Sequence, residues 1–429
     1  MSIPVLKPEA LKLNASPIYA AVITFLTYAM VYGFRKPFTV ATYGDVEPVL
    51  GVAYKSCLVI SQVLGYMMSK FYGVKFIAEL KRFGRGKMIL MLVGISWIAL
   101  LFFAIIPAPY NIPVLLLNGF PLGLIWGIVF SFVEGRKATD FIGAALAVSF
   151  IFSSGFVKTV TGFLQLQFSI PDFWLPFFAG FVFLIPLLLF IWLLEKIPPP
   201  SASDQLLRTE RKAMLKEERT TYIKTFFPGI VTLLVIYVFL TIFRDIRDNF
   251  AADMWVEMGF ANQPEKFVAT EIPTTIIVLV LISAMIYIKN NLHALMVSHV
   301  IIGAGFLLAG ISTLLFMQGS LAPFYWMMLV GLGLYMGYIP FNCVLFERMI
   351  ATFKYAGNVG FLMYLADSYG YLGSVAVMLS KSVFHIRLSW TNFYSYGVMG
   401  LSVIGLLGTI ISAWYFKSMY NNKFHTDEK

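Results

Sequence analysis

The amino-acid sequence predicts an all-α membrane protein in which twelve transmembrane helices form two pseudo-symmetric bundles of six. Of the 429 residues, 59% are hydrophobic and 13% are charged, whereas a soluble domain carries about 25% charged residues. Apolar runs of about 20 residues, the length at which a helix crosses a bilayer, recur along the whole chain. A β-barrel is excluded, because its strands alternate apolar and polar residues over about ten positions.

Each apolar run is assigned to one helix. We predict helices over residues 17–42, 52–75, 87–106, 112–134, 141–168, 173–195, 226–251, 268–289, 293–316, 322–346, 356–380 and 392–418. After the sixth run, three prolines from Pro198 to Pro200 precede a charged stretch that ends at Lys224, which is typical of a solvated linker. The predicted organisation is therefore an N-terminal bundle over 1–197, a cytoplasmic linker over 198–224 and a C-terminal bundle over 225–429.

Lysine and arginine residues set the expected orientation, since cytoplasmic loops of membrane proteins carry an excess of both. The loop between helices 2 and 3 is basic, and so are the loop between helices 4 and 5 and the linker. We therefore expect both termini in the cytoplasm and a location in a cell membrane, with the bacterial inner membrane favoured. This clustering explains the net charge of +10 without a nucleic-acid partner.

A short internal similarity relates the two halves. The run from Arg35 to Phe38, late in helix 1, resembles the run from Arg247 to Phe250, late in helix 7. Repeats of this kind rock around a substrate site near the bilayer midplane in secondary transporters.

Cationic side chains inside the apolar runs are the candidate binding residues, because a charge at membrane depth persists mainly beside a partner, a substrate or water. In helix 1, Tyr28 and Tyr32 share a face with Arg35, and Lys36 follows. Phenolic donors beside a cation suit an oxyanion. The alternative is a cation that extends from the helix end to the lipid headgroups.

Helices 2 and 5 each contribute one lysine to this candidate set. Lys70 lies one helical turn after Tyr66 and either binds substrate or extends toward the membrane surface. Lys158 lies deep in helix 5, and either a substrate or a carboxylate supplies its partner.

Helix 7 contains four charged residues within five positions: Arg244, Asp245, Arg247 and Asp248. They form either a self-neutralised structural cluster or a site in which one arginine faces Arg35 across the cavity. A guanidinium from each half would hold a phosphate or carboxylate with paired hydrogen bonds.

Two further carboxylates lie inside or at the end of apolar runs. Three roles are open for Asp367 in helix 11. It takes a coupling proton, it holds a substrate amine, or it neutralises a lysine or an arginine. Glu134, with Arg136, is expected to belong to a gate at the cytoplasmic end. The four histidines lack metal-ligand spacing and no phosphate-binding loop occurs, so we expect no metal, no cofactor and no enzyme activity.

The two-bundle plan resembles the major facilitator superfamily. Its loop between helices 2 and 3 has a motif of Gly, an acidic residue and Arg-x-Gly-Arg, of which the run from Gly73 to Lys87 is a degenerate copy. In that family the loop braces the cytoplasmic gate, which implies this role for Glu79, Arg82 and Arg85.

Three motifs are similar to those of the organophosphate:phosphate antiporters within that superfamily. They are Tyr28-xxx-Tyr32-xx-Arg35-Lys36, Tyr66-xxx-Lys70-Phe71 and Gly370-Tyr371-Leu372-Gly373. The resemblance implies phosphate binding by Arg35, with Lys70, Tyr66 and Tyr371 lining the same cavity. For the second phosphate-binding arginine, the family pattern after Val238 and Phe239 indicates Arg244, whereas the internal repeat indicates Arg247.

The sequence also departs from that family. Helix 5 has Ser153, Ser154 and Lys158 where the family has a histidine near the substrate, and Glu271 is displaced by almost a turn from the family's helix 8 glutamate. Asp367 has no counterpart in the family pattern.

The expected function is secondary-active transport of a small phosphorylated or phosphonate anion by alternating access, with inorganic phosphate as the counter-substrate if transport is exchange. A second interpretation is a proton-coupled symporter of a carboxylate or a zwitterion, with Asp367 or Glu271 as the proton site. A third is a membrane sensor that has a transporter fold without transport. We expect a monomer in a lipid bilayer.

Overall fold

The structure is a computed structural model, and the described part of the chain is helical apart from short connections. The described residues are 16–78, 84–133, 136, 139–199, 221, 224–285, 287–353, 359–384 and 386–424. The linker is almost wholly outside these ranges, and so are the predicted gate residues Glu79, Arg82 and Glu134.

Twelve long helices form the described part, in agreement with the predicted fold class. Their labels and bounds are α1 (Pro17–Val31), α2 (Tyr54–Ala78), α3 (Arg85–Ile105), α4 (Ile112–Ser131), α5 (Thr139–Phe168), α6 (Leu175–Glu195), α7 (Phe227–Asn249), α8 (Glu265–Met285), α9 (Asn291–Met317), α10 (Pro323–Thr352), α11 (Val359–Val383) and α12 (Trp390–Phe424). Within the described residues, all except α2 and α11 are long and apolar enough to cross a membrane. The chain is a multi-pass membrane protein.

Two of the predicted helices are not α-helical throughout. The first predicted helix, 17–42, ends as an α-helix at Val31 and continues as two short 3₁₀ turns, Tyr32–Phe34 and Pro37–Thr39. Pro37 has no backbone N–H, so the α-helical hydrogen-bond ladder does not continue through it. In α10, the turn Phe341–Leu345 is a π-helix that follows Pro340, and such turns are frequent at functional sites.

The helices pack as two groups of six. In the first group α1 contacts α5 and α6, and α4 contacts α2 and α3; in the second, α7 contacts α10, α11 and α12, and α9 contacts α10 and α12. The groups meet where α5 packs on α8 and where α2 packs on α11. Gly155 permits the first of these contacts, since a Cβ there would lie 2.6 Å from Cγ of Glu271.

We name the two ends of the bundle by their connections. The linker end is where α6 ends at Glu195 and α7 begins at Phe227. The far end is the opposite one, where the short helix Ala251–Glu257 joins α7 to α8. At the linker end Arg85 donates to the carbonyl of Ser131 at the end of α4, over 2.7 Å, and Arg136 donates to the carbonyl of Pro198.

Candidate functional site

A cavity of about 60 Å³ lies between the two groups of helices. Its lining residues come from both groups: Tyr32, Arg35, Tyr66, Lys70, Trp126, Ala147, Phe150, Arg244, Asp245, Asp248, Tyr335, Tyr338, Asn342, Met363, Asp367 and Tyr371. A water molecule needs about 10–15 Å³ by this measure. The cavity therefore has room for about four to six water-sized groups.

Arg35 stands at the break that follows α1, and its backbone is fixed there by polar side chains. Gln62 of α2 donates to the carbonyl of Arg35 over 2.9 Å, and Asn118 of α4 donates to the carbonyl of Phe34 over 3.0 Å. The guanidinium lies over the ring of Tyr66, with 4.1 Å from Cζ to the ring centroid, and Nη1 donates to the hydroxyl of Tyr32 over 3.5 Å.

The charge of Arg35 has no carboxylate partner within 4.0 Å in the part of the chain that the structure describes. Its Nε is buried without a hydrogen-bond acceptor. Of the cations predicted to bind substrate and found at the cavity, Arg35 is thus the one held by aromatic rings rather than by an acid.

Arg244 lines the same cavity as Arg35 but belongs to the second group of helices. Its Cζ lies 4.1 Å from the ring centroid of Tyr338, and Nη2 donates to Oδ1 of Asp245 over 2.7 Å. Oδ2 of Asp245 accepts from Ser374 of α11 over 3.0 Å. Asp245 therefore orients Arg244 and neutralises it in part.

Arg247, the alternative arginine of α7, does not line this cavity. Its Nη1 donates to Oε1 of Glu271 over 2.6 Å, and its Nη2 donates to the carbonyl of Met327 over 2.9 Å. Gly331 of α10 makes room for it, because a Cβ at that position would lie 2.5 Å from Nη2. The pair of Arg247 and Glu271 thus joins α7, α8 and α10 inside the second group.

Asp248 lies at the boundary between the cavity and the far end. It forms ion pairs with Lys36 of the first group and with Lys158 of α5, the latter with 2.7 Å from Nζ to Oδ1. Ser154 donates to the same carboxylate, and Lys36 also donates to Asn249 over 2.8 Å. Lys36 and Lys158 are buried behind Asp248 and do not line the cavity.

Further contacts join the two groups at the far end. Lys55 forms an ion pair with Asp253 over 2.6 Å and donates to the carbonyl of Thr39 over 2.9 Å. Thr159 of α5 donates to the carbonyl of Pro264 over 2.7 Å. Burial raises the pKa of the Asp253 carboxyl, and the charge of Lys55 opposes that shift.

Asp367, on α11, lines the cavity. Its Oδ1 accepts from the hydroxyl of Tyr237, which lies 3.0 Å from the hydroxyl of Tyr338. Its Oδ2 lies 3.9 Å from Nζ of Lys70, beyond hydrogen-bond distance. Lys70 also lies 5.1 Å from the ring centroid of Tyr66.

Several lining residues were not among the predicted site residues. They are Trp126, Ala147, Phe150, Tyr335, Tyr338, Asn342 and Met363. Tyr335 and Tyr338 are three positions apart, hence on one face of α10, and this spacing was the available signal. Tyr28, in contrast, was predicted to line the site but is buried beside Tyr32 without reaching the cavity, with 5.5 Å between ring centroids.

The arrangement of the helices is similar to that of solved transporter structures. A bacterial homologue of the human lysosomal transporter Spinster, solved in an inward-facing and unoccupied conformation, matches with a TM-score of 0.58 and 14% identity over 96% of this chain and 98% of that one. The human organic anion transporter MFSD10 matches with a TM-score of 0.51 and 15% identity over 94% of this chain and 100% of that one. The chain has the fold of the major facilitator type of transporter.

At the level of sequence, residues 37–419 match the family model DUF5690, which is described as a family of unknown function. The chain belongs to that family. No curated protein sequence matches it.

Proposed function

We propose that this protein is a secondary-active transporter of a small organic anion, of the phosphorylated or phosphonate class, that works by alternating access. The observation that carries the proposal is Arg35, a guanidinium held between aromatic rings at the central cavity, without a carboxylate partner among the described residues. A buried charge that lacks a partner is costly. An anionic substrate would supply that partner.

The balance of charges around the cavity supports an anion. Five cations and three carboxylates lie at the cavity or directly behind it, an excess of two positive charges: Arg35, Lys36, Lys70, Lys158 and Arg244 against Asp245, Asp248 and Asp367. Such an excess at low dielectric favours a ligand with one or two negative charges.

Two guanidinium groups from different helix groups provide the means for closure around the substrate. Arg35 belongs to the first group and Arg244 to the second, and each can offer two parallel N–H donors to an oxyanion. An anion that contacts both would favour the conformation in which the groups come together. MFSD10, which has this fold, is named an organic anion transporter, and this is consistent with the proposal.

We further propose exchange as the mode of transport, with inorganic phosphate as the counter-substrate. An unoccupied cavity lined by Arg35 without a carboxylate partner among the described residues would be costly to carry through the membrane interior. Reorientation would thus be favoured when an anion is bound. The linker end would face the cytoplasm, as the basic residues between the predicted helices indicate, and the two groups of helices would correspond to the bundles 1–197 and 225–429.

The experiment is counterflow in proteoliposomes loaded with inorganic phosphate, with labelled phosphate outside. Wild-type protein should accumulate label, and Arg35→Gln should lose at least tenfold in initial rate. Arg348→Gln is the matched control, because Arg348 donates to Asn291 over 2.8 Å at a distance from the cavity, and it should transport normally. Phosphate binding without flux would instead indicate a sensor.

One observation favours proton coupling as a second candidate function. Asp367 is the cavity carboxylate whose partners are a neutral hydroxyl and a lysine at 3.9 Å, whereas Asp245 and Asp248 each hold a cation at 2.7 Å, and Asp367 is therefore the candidate coupling residue. Glu271 is less suited, since Arg247 holds it outside the cavity. Uptake that is driven by an imposed pH gradient, without internal phosphate, would favour this symporter over exchange.

A further inference from the structure

The cavity contains one cation and one carboxylate that are each incompletely neutralised. Arg35 has aromatic contacts and one long hydrogen bond, as described above. Asp367 has one hydroxyl donor, Tyr237, and a lysine at 3.9 Å. Both other lining carboxylates are better satisfied: Asp245 holds an arginine and a serine, and Asp248 holds two lysines and a serine.

These two groups line the same small cavity. Arg35 comes from the first group of helices and Asp367 from the second. Aromatic rings connect them: Tyr66 carries the guanidinium of Arg35, and its ring centroid lies 5.5 Å from that of Tyr371, which is one turn after Asp367. A bound molecule would thus contact the cation of Arg35, the aromatic rings of Tyr66 and Tyr371, and the carboxylate of Asp367.

We propose that the substrate is a short zwitterion, in which an oxyanion binds Arg35 and Arg244 and a protonated amine binds Asp367. This proposal rests on the proposed function and specifies its substrate class. The amine would be held by the carboxylate and by the faces of the neighbouring tyrosine rings, which attract cations. The cavity is small, with room for about four to six water-sized groups, so a short spacer between the two charges is favoured.

An amine at Asp367 has a consequence for Lys70. The amine takes the place of Lys70 as the counter-ion of Asp367, and the charge of Lys70 then adds to the attraction for the oxyanion. Lys70 and Arg35 both lie against Tyr66, at 5.1 and 4.1 Å from its ring centroid. One exchange of ion pairs would therefore satisfy both ends of the substrate, whereas a simple anion would leave Asp367 with its weak partner.

The test compares two ligands that differ by the amine alone: 2-aminoethylphosphonate and ethylphosphonate. Binding to the purified full chain in detergent is measured by calorimetry or by the thermal shift that saturating ligand produces. Wild-type protein should bind 2-aminoethylphosphonate at least tenfold more tightly. In Asp367→Asn this preference should disappear, and in Arg35→Gln both ligands should bind at least tenfold more weakly than to wild type.

Asp253→Asn is the matched control, since it also removes a partly buried carboxylate that pairs with a lysine of the other helix group, but outside the cavity. It should keep the wild-type preference. Equal affinity of wild type for the two ligands, or tighter binding of ethylphosphonate, overturns the zwitterion proposal and leaves the anion transporter in place. Binding of neither phosphonate, nor of phosphate, overturns the proposed function itself. If Asp367→Asn fails to fold, the wild-type comparison still decides.

Discussion

The guanidinium of Arg35 is stacked on the ring of Tyr66, with 4.1 Å between Cζ and the ring centroid. Because the N–H groups of a guanidinium lie in its plane, a ring against one face leaves the donors at its edge available. Tyr66 therefore fixes the direction of Arg35 without consuming its hydrogen bonds. An ion pair with an acid would have fixed it equally well but would have neutralised the charge.

The first prediction separates the ring of Tyr66 from its hydroxyl. Tyr66→Phe keeps the stacked ring and should change the dissociation constant of phosphate by less than about threefold. Tyr66→Leu removes a cation–π contact of about 1–2 kcal/mol in a desolvated site, so phosphate should bind about five- to thirtyfold more weakly. Calorimetric titration with phosphate checks both, and equal weakening in the two variants would show that the hydroxyl and not the ring matters.

The second prediction concerns the buried pair of Arg247 and Glu271. Arg247→Leu leaves Glu271 as a buried charge without its partner, which costs about 3–5 kcal/mol. The melting temperature in detergent should fall clearly. Arg247→Leu combined with Glu271→Leu should recover most of the loss, since two apolar groups replace an ion pair at little cost. No recovery in the double variant would contradict a mainly structural role for this pair.

The fold was accessible from the sequence because the length and apolar character of each run are local properties. The end of α1 was less accessible: Pro37 favours a break in the helix, but Pro121 and Pro186 lie inside α4 and α6. The choice between Arg244 and Arg247 was not accessible, because it depends on Glu271, which is 24 positions from Arg247 along the chain. Likewise, Lys158 meets Asp248 only through the packing of α5 on the second helix group.

The third prediction uses two glycines with opposite surroundings. At Gly155, a Cβ would lie 2.6 Å from Cγ of Glu271 and 2.7 Å from the carbonyl of Phe267, so Gly155→Ala should push α5 away from α8 and lower the melting temperature. At Gly94 in α3, a Cβ meets no atom within 4 Å. Gly94→Ala should leave the melting temperature unchanged or raise it, because alanine favours the helix by about 0.5–1 kcal/mol. The same response in both variants would contradict the close contact of α5 with α8.

The fourth prediction concerns Asp248, the carboxylate that holds Lys36 and Lys158 across the two helix groups. Asp248→Asn removes the charge that binds both lysines and should make opening of the far end easier. To detect this opening, Cys57 and Cys343 are first replaced by serine. Ala147, which lines the cavity, is then replaced by cysteine. A membrane-impermeant thiol reagent applied from the far side should label it at least fivefold faster than in the parent protein.

The matched control for Asp248→Asn is Glu257→Gln at the same end of the bundle. Glu257 accepts from the backbone N–H groups of Trp390 and Thr391, both in the second group of helices, so its contacts do not cross between the groups. Its labelling rate should equal that of the parent. If Asp248→Asn were labelled no faster than Glu257→Gln, the ion pairs of Asp248 would not be what holds the far end closed. Closure of the far end would then depend on the contact between α5 and α8, where Thr159 donates to the carbonyl of Pro264.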